Sequence, residues 1–307
     1  MNKSNFNRRK IIKKRREEQL LILRRVIKVV PVLLVFALVF IFLIVYLSIN
    51  RRFVLSKSFN SAFVYRDLVR IINYDPELKE MLVVDIDGDV ILDTASNKGQ
   101  YPLKNIYDLS VNEKTNADLF KKSLMKNLHL PILSVVDCRR VKNSTNFSLS
   151  SLLRCVKNNN FSDFVYLFFL RWNAGKNVTY KNLDDYGVNL NDSGINGFYL
   201  EDPDIFKKLE FDFSMDLDIR NVVNVEIVYP ENMRVPNYFD DLIKVSGGRV
   251  VKTSAVDNLI INNNCEVRGM DKVFNKYLKN VFMCRSIYEK GETTSLLFSE
   301  NELKSYY

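Results

Sequence analysis

An uncharged apolar run near the N-terminus dominates the hydrophobic pattern of the chain. Its 21 residues, Val29 to Ile49, are almost all Val, Leu, Ile and Phe. Because a helix rises about 1.5 Å per residue, about 20 such residues cross the hydrocarbon core of a bilayer. The pattern predicts one transmembrane helix. An uncleaved anchor is favoured over a signal peptide, whose apolar region is usually ~7–15 residues long.

Beyond this run, the pattern alternates between strand and helix. Residues 51–75 fit either a helix or a first strand. Two β-rich segments, Met81–Ile86 and Asp89–Leu92, flank an Asp-Gly turn and predict a β-hairpin. A helix is then predicted to end before Pro131, and a strand follows at Ile132–Val136. The helical spacing is found at Leu119, Phe120, Ser123, Leu124 and Leu128.

The second half of the chain is irregular at first and regular later. Residues 139–163 and 173–204 are rich in Asn, Ser, Asp or Gly, which is typical of loops. From residue 222 onward strands and helices alternate, which favours a compact α/β module. The predicted elements are strands at Val222–Tyr229, Arg249–Thr253, Leu259–Ile261 and Thr294–Phe298 and helices at Pro236–Val245 and Met270–Phe282.

These patterns predict an α/β fold held to a membrane by one N-terminal helix. We expect a basic tail at residues 1–28 and the transmembrane helix at 29–49. An α/β region with a loop-rich insert is expected at 51–215, and a small α/β domain at 222–307.

The charge distribution predicts the orientation. The formal net charge of +9 lies in residues 1–28, which hold eleven Lys or Arg and two Glu, whereas the later residues hold 34 charges of each sign. The positive-inside rule therefore places the tail in the cytoplasm and the body outside the plasma membrane. Because the body is formally neutral, a nucleic-acid partner is not expected.

All four cysteines follow the apolar run. Their separations are too wide for the C-x-x-C spacing of metal sites, and three disulfide connectivities are possible. We favour Cys138 with Cys155 and Cys265 with Cys284, because each pair lies within one predicted unit. Reduced, buried cysteines are the alternative, since the sequence does not fix the redox poise of the compartment.

Candidate chemistry outside the cysteines is sparse. Arg139 and Arg140 directly follow a predicted strand, where guanidinium groups can bind a phosphate or carboxylate, and a solvated surface pair is the alternative. The acidic run that begins at Asp85 lacks the Gly and Glu positions of a calcium loop. His129 has no marked nucleophile or orienting acid beside it. We therefore predict no catalytic residue and no metal site.

Two stretches carry an ordered set of motifs. In the first, Met81–Val136, strands precede Gly99–Leu103 and a helix that ends in Leu128–Ile132. In the second, Val222–Tyr307, a strand and a helix precede Gly248–Val251. The first stretch resembles the core of the LytR-CpsA-Psr family of bacterial envelope proteins. The second resembles the LytR C-terminal domain.

The resemblance implies a short cytoplasmic tail, one span and an exported α/β body. Enzymes of this family move glycan polymers from a polyprenyl-pyrophosphate carrier to the cell wall, with Arg and Asp residues around the pyrophosphate and a divalent metal. In this chain no Arg lies between Arg70 and Arg139, and Ile91–Ser96 replaces the family's Pro-Arg-Asp segment. Because bidentate phosphate contacts need guanidinium groups, we expect a protein without catalytic activity.

Three functions follow from these observations. The first is a non-catalytic binding or scaffold role in the maintenance of the cell wall, without a cofactor. The second is an active glycopolymer transferase, which would use Mg²⁺. The third is a bitopic scaffold for division or assembly. The expected partners are the lipid bilayer together with cell-wall glycan, a lipid-linked precursor or other envelope proteins.

Overall fold

The computed structural model describes residues 30–31, 34–42, 59–141, 154–155, 170–186, 191–192, 198–199, 222–257, 259, 261 and 263–307. The chain forms two compact units, Met1–Arg51 and Arg52–Tyr307. In the first unit, residues 34–42 form helix α1, whose apolar side chains are exposed. None of the helices within the described ranges is both long enough and apolar enough to cross a membrane. Residues 29, 32–33 and 43–49 of the predicted span lie outside the described residues.

The second unit begins with a five-stranded sheet, called the first sheet below. Its strands are β1 (Phe59–Val64), β2 (Leu68–Asp75), β3 (Glu80–Asp87), β6 (Ile132–Asp137) and β7 (Val178–Asn182). The spatial order is β6-β1-β2-β3-β7. Strands β1, β2 and β3 form an antiparallel meander, while β6 joins β1 and β7 joins β3 in parallel. The described part of the ambiguous segment at 51–75 therefore forms two strands, β1 and β2, joined by a turn at residues 65–67.

A small sheet and two helices follow the meander. The small sheet has the order β5-β4-β9-β8. Its strands are β4 (Val90–Asp93), β5 (Gln100–Pro102), β8 (Asn191–Asp192) and β9 (Phe198–Tyr199). The helices are α2 (Leu103–Asn112) and α3 (Asp118–Leu128). The predictions of a helix before Pro131 and of a strand after it are confirmed.

The predicted hairpin at Met81–Leu92 is wrong in its pairing. Both strands exist, but β3 pairs with β2 and β7, whereas β4 pairs with β5 and β9. Gly88, between them, donates its N–H to the Asp67 carbonyl at 2.9 Å and accepts from the Lys104 N–H at 3.0 Å. A Cβ at Gly88 would lie 2.8 Å from the Asp67 oxygen. The glycine therefore permits close packing of two turns instead of closing a hairpin.

Successive residues of each strand point to opposite faces of the first sheet. One face buries residues such as Ala62, Ile71 and Val84 in an apolar cluster that includes side chains from α2 and α3. The other face buries a second cluster, which contains Phe63, Tyr65, Ile72, Tyr74, Met81, Val83, Val136, Cys138, Cys155, Leu170 and Ala174. Both faces of the sheet are therefore covered.

The rest of the unit is a second five-stranded sheet with the order β11-β10-β14-β12-β13. Its strands are β10 (Val223–Pro230), β11 (Gly248–Val256), β12 (Cys265–Gly269), β13 (Arg285–Tyr288) and β14 (Thr294–Phe298). The helices are α4 (Tyr238–Val245), α5 (Lys272–Phe282) and α6 (Glu300–Lys304). The two predicted helices and three of the four predicted strands are confirmed. Leu259 and Ile261 are described and do not lie in a strand, and β12, β13 and α6 were not predicted.

Aromatic side chains fill the core of this second sheet. Phe239, Phe282, Phe298 and Tyr306 lie with ring centroids 5.1–6.0 Å apart, mostly edge to face. Such pairs add about 0.5–1.5 kcal/mol beyond their buried area. Because Tyr306 is fully buried, the C-terminal residues of the chain are part of this core.

Helix α3 connects the two sheets through polar contacts. Lys121 Nζ donates to the Asn280 carbonyl at 2.8 Å, at the C-terminal end of α5. Lys122 Nζ contacts Glu302 Oε1 at 2.7 Å. Just beyond the helix, His129 Nδ1 lies 2.6 Å from Asp241 Oδ2. Both sheets contribute to one buried apolar cluster, so residues 52–307 form one compact unit.

Candidate functional site

The strand directions define one edge of the first sheet where ligands are expected. β1 and β6 run in parallel, and β3 and β7 run in the same direction because both neighbours of β2 are antiparallel to it. The carboxyl ends of four strands therefore meet at one edge. In open α/β sheets, ligands bind outside the carboxyl ends of the strands. We take this carboxyl edge as the candidate functional site.

A charged pair lies inside the sheet near this edge. The register places Val136, Phe63, Arg70, Asp85 and Asn182 in one row across the five strands. Nε and Nη2 of Arg70 donate to the two carboxylate oxygens of Asp85 at 2.6 and 2.7 Å. The Arg70 side chain is 1% exposed and the Asp85 side chain 25%. The guanidinium is thus held by a bidentate ion pair among apolar side chains.

Electrostatics keep this arginine charged. Burial alone would lower the pKa of Arg70, but the hydrogen bonds and charge of Asp85 outweigh burial, so the pKa is raised above its usual value. Tyr65 lies with its ring 5.4 Å from the guanidinium carbon. Burial raises the pKa of the Tyr65 hydroxyl, and the nearby Arg70 charge offsets part of that effect. The tyrosine therefore stays neutral beside a permanent cation.

Arg139, one of the two arginines selected from the sequence, lies just after β6. Its Nε and Nη2 donate to the two oxygens of Asp137 at 3.1 and 3.0 Å. Its Nη1 contacts Asp108, and its guanidinium carbon is 4.5 Å from the ring centroid of Tyr107. The pKa of Arg139 is raised chiefly by its hydrogen bond to Asp137. Arg140 follows in an exposed turn.

The two bound arginines lie on opposite faces of the sheet. Tyr107 and Asp108 belong to α2, so they hold Arg139 on the face that α2 and α3 cover. Arg70 instead points to the face with Phe63 and Val136. The structure therefore does not bring Arg139 together with Arg70 in one cleft. Arg70 was not selected from the sequence. A lone arginine inside an apolar strand could have indicated it, because a buried guanidinium needs an acidic partner.

The four selected cysteines form two disulfide bonds. Cys138 bonds to Cys155 on the face of the first sheet that contains Arg70, and both are buried. Cys265 at the start of β12 bonds to Cys284, which follows α5, and both are also buried. The second disulfide therefore ties the C-terminal end of α5 to the sheet on which that helix packs.

The acidic turn at the same edge makes local contacts. Asp87 Oδ1 accepts the N–H of Asp89 at 2.8 Å, and Asp89 forms an ion pair with Lys104 at the start of α2. Throughout the described ranges, no three acidic, histidine or cysteine side chains are grouped so that they could hold a metal ion.

Comparisons with known proteins give structural similarity only. No protein-family profile matches the sequence, and no curated protein is detectably similar to it. Bacillus subtilis TagT is 13% identical, with a TM-score of 0.37 over 52% of this chain and 91% of that one. The LytR-CPS2A-Psr family protein YwtF (TagT), with bound octaprenyl pyrophosphate lipid, is 13% identical, with a TM-score of 0.38 over 53% of this chain and 93% of that one. Lin1025 of Listeria innocua is 8% identical, with a TM-score of 0.36 over 51% of this chain and 96% of that one. With TM-scores below 0.5, the description of the fold rests on this chain's own strands and helices.

Proposed function

We propose that the chain is a membrane-anchored protein of the cell envelope, similar to the LytR-CpsA-Psr proteins, with a binding or scaffold role and no transferase activity. The membrane anchor is the apolar run at residues 29–49, and the basic tail before it stays in the cytoplasm. The exported part is the unit formed by residues 52–307. The motif order of Met81–Val136 and Val222–Tyr307 supports the family relationship.

One observation carries the non-catalytic assignment. Arg70 and Arg139 each use the Nε and Nη2 edge of the guanidinium to bind both oxygens of one aspartate. That edge can also bind two oxygens of a phosphate. A pyrophosphate at either arginine would have to displace a carboxylate, and a displaced Asp85 would leave an unfavourable charge near apolar side chains. Both arginines therefore serve the structure of the sheet.

The disulfides support export. Disulfide bonds persist in oxidising compartments and are rare in the bacterial cytoplasm. Both bonds of this chain lie after the apolar run, and neither cysteine pair extends into the basic tail. An exported body would therefore form them during folding.

Protease added to intact cells tests this orientation. We expect residues 52–307 to be digested from outside while an epitope placed before residue 8 survives. A thiol-reactive polymer should shift the denatured protein in a gel only after reduction, because all four cysteines are bonded. A body that resists protease in intact cells, together with free thiols, would contradict export.

Binding of octaprenyl pyrophosphate tests the non-catalytic assignment. The full chain in detergent is titrated with this lipid with and without Mg²⁺. The expected result is that magnesium does not strengthen any binding and that Arg139→Met leaves it unchanged. Magnesium-dependent binding that is lost in Arg139→Met, together with transfer of a glycan to cell wall, would instead establish the transferase.

A further inference from the structure

A cavity of about 310 Å³ separates the edge of the first sheet from the C-terminal end of α5. Its volume is at the lower end of the ~300–1,000 Å³ range of ligand pockets. The loop before α3, strand β6 and the last turn of α5 form its walls. The polar and charged residues that line it include Asn116, Asp118, Lys121, Ser134, Lys279 and Asn280. It is distinct from the carboxyl edge described above.

Strand β6 gives this cavity a polar backbone wall. β6 is at the edge of the first sheet, and among the strands described it pairs only with β1. The backbone groups on its outer side are therefore not used in the sheet, and Leu133, Ser134 and Val135 line the cavity. The side chains of Val135 and Met283 add apolar surface. The wall thus suits a molecule with both hydroxyl groups and C–H surface.

Two side chains of the lining have unused hydrogen-bonding capacity. Asp118 Oδ1 and Asn280 Nδ2 are buried and have no hydrogen-bond partner within the described part of the chain. Nearly all buried polar atoms in native proteins are bonded. Both residues line the cavity, and the terminal torsions of carboxylates and amides are soft, so the two groups can adjust to a bound molecule. A hydroxyl can donate to the first and accept from the second.

The charges around the cavity favour an anion. Lys121 and Lys279 line it, and Lys279 is exposed at its rim. The acid of the lining, Asp118, already shares its charge with Lys122, whose Nζ is 3.2 Å from Asp118 Oδ2. One exposed ammonium group is thus placed to contact a negative group on a ligand.

We propose that this cavity binds a polyol of monosaccharide size that carries one carboxylate or phosphate group. The anionic group contacts Lys279, with Lys121 behind it. The hydroxyl groups bond to Asp118, Asn280 and the outer edge of β6. This inference does not depend on membrane attachment or on export, so it can fail or succeed independently of the proposed function.

Calorimetric titration of the full chain in detergent tests the ligand class. The probes are glucuronate, glucose 1-phosphate, glucose and inorganic phosphate. We expect one or both anionic sugars to bind about tenfold or more tightly than glucose and inorganic phosphate, a difference of ~1.4 kcal/mol. The two anionic sugars distinguish a carboxylate from a phosphate. Equal binding of inorganic phosphate and glucose 1-phosphate would mean an adventitious ion only, and absence of binding by both anionic sugars would also overturn the proposal.

Three variants locate the site. Lys279→Glu should weaken binding of the anionic sugar about tenfold. Lys290→Glu makes the same charge change at an exposed position beyond β13 that does not line the cavity, and should leave the affinity unchanged. Val135→Phe should fill the cavity and abolish binding, with circular dichroism as the check on folding. Unchanged binding in Lys279→Glu, or in a folded Val135→Phe protein, would disprove the site.

Discussion

Arg70 and Asp85 face each other on neighbouring strands, and both hydrogen bonds between them are 2.7 Å or shorter. The pair joins β2 to β3 through side chains in addition to the backbone ladder. Since arginine does not lose its proton at any ordinary pH, the Asp85 carboxylate compensates a buried charge that is always present. Loss of the acid therefore costs more than loss of both partners.

We predict that Asp85→Asn lowers the free energy of unfolding by about 3 kcal/mol, because it removes the carboxylate charge that is bonded to both nitrogens of the buried guanidinium. Urea unfolding followed by circular dichroism measures this. Asp89→Asn is the matched control, because Asp89 pairs with Lys104 at an exposed site and should cost at most ~1 kcal/mol. The double variant Arg70→Leu/Asp85→Leu should recover much of the loss. Equal losses in Asp85→Asn and Asp89→Asn would refute the structural role of the pair.

Lys122 should be a second determinant of stability. Its side chain is 5% exposed, and Nζ contacts Asp118, Glu302 and Ser305 at 2.6–3.2 Å. Lys122→Met leaves two carboxylates without their shared cation, so we predict a loss of about 3 kcal/mol. Lys304→Met removes an exposed ion pair with Glu300 in α6 and should cost less than ~0.5 kcal/mol. The measurement is the midpoint of urea unfolding, which should be lower for Lys122→Met than for Lys304→Met. Similar midpoints for the two variants would contradict the prediction.

Glu266 should make stability depend on pH in the acid range. Burial alone would raise the pKa of Glu266, but hydrogen bonds from Arg268 and Asn263 lower it below its ordinary value of 4.5. A lowered pKa in the folded state means that the stabilisation is complete well above pH 4.5 and is lost as pH falls through the folded pKa.

Thermal unfolding as a function of pH can measure this contribution. Glu266→Gln should be less stable than the natural chain near neutral pH, and the difference should shrink as the solution is acidified. A difference that stays constant down to low pH would show that the charge of Glu266 contributes nothing.

The disulfide between Cys265 and Cys284 encloses helix α5 and spans 19 positions. Replacement of both cysteines by serine releases a loop of this size in the unfolded chain, so we predict a loss of about 3 kcal/mol. The measurement is urea unfolding under oxidising conditions. The same serine variant under reducing conditions should match the reduced natural chain. If reduction does not lower the midpoint of the natural chain, the bond does not contribute in this way.

The C-terminal elements could be predicted from sequence because their signals are local. Helix α5 begins at Lys272 and is capped by Asp271, whose carboxylate accepts the N–H groups of Val273 and Phe274. Its apolar residues recur at helical spacing. Strand β14 was predicted with its observed bounds for the same reason. Such elements can be predicted from their own residues, without knowledge of the elements they pack against.

The pairing of the first strands could not be predicted in the same way. β3 and β4 each have a strand-like pattern, but the register of a strand depends on its neighbours. β3 pairs with β2 just before it and with the distant β7, and β4 pairs with the distant β9. Residues 59–75 contain Asn60, Arg70 and Asn73, which blur the alternation. Asn73 Nδ2 donates to Asn60 Oδ1 across β1 and β2, and Asn60 Nδ2 donates to the Pro131 carbonyl, contacts visible only in three dimensions.

The order of strands in the first sheet has a consequence for synthesis. The meander of β1, β2 and β3 is complete at Asp87, but the strand that covers its β1 side begins at Ile132 and the strand that covers its β3 side begins at Val178. In a nascent chain, the outer strands β1 and β3 of the meander therefore remain unpaired, largely apolar edge strands for a long interval of elongation. Unpaired edge strands can pair with strands of other chains and lead to aggregation. The yield of native protein should therefore fall when many copies are produced at once.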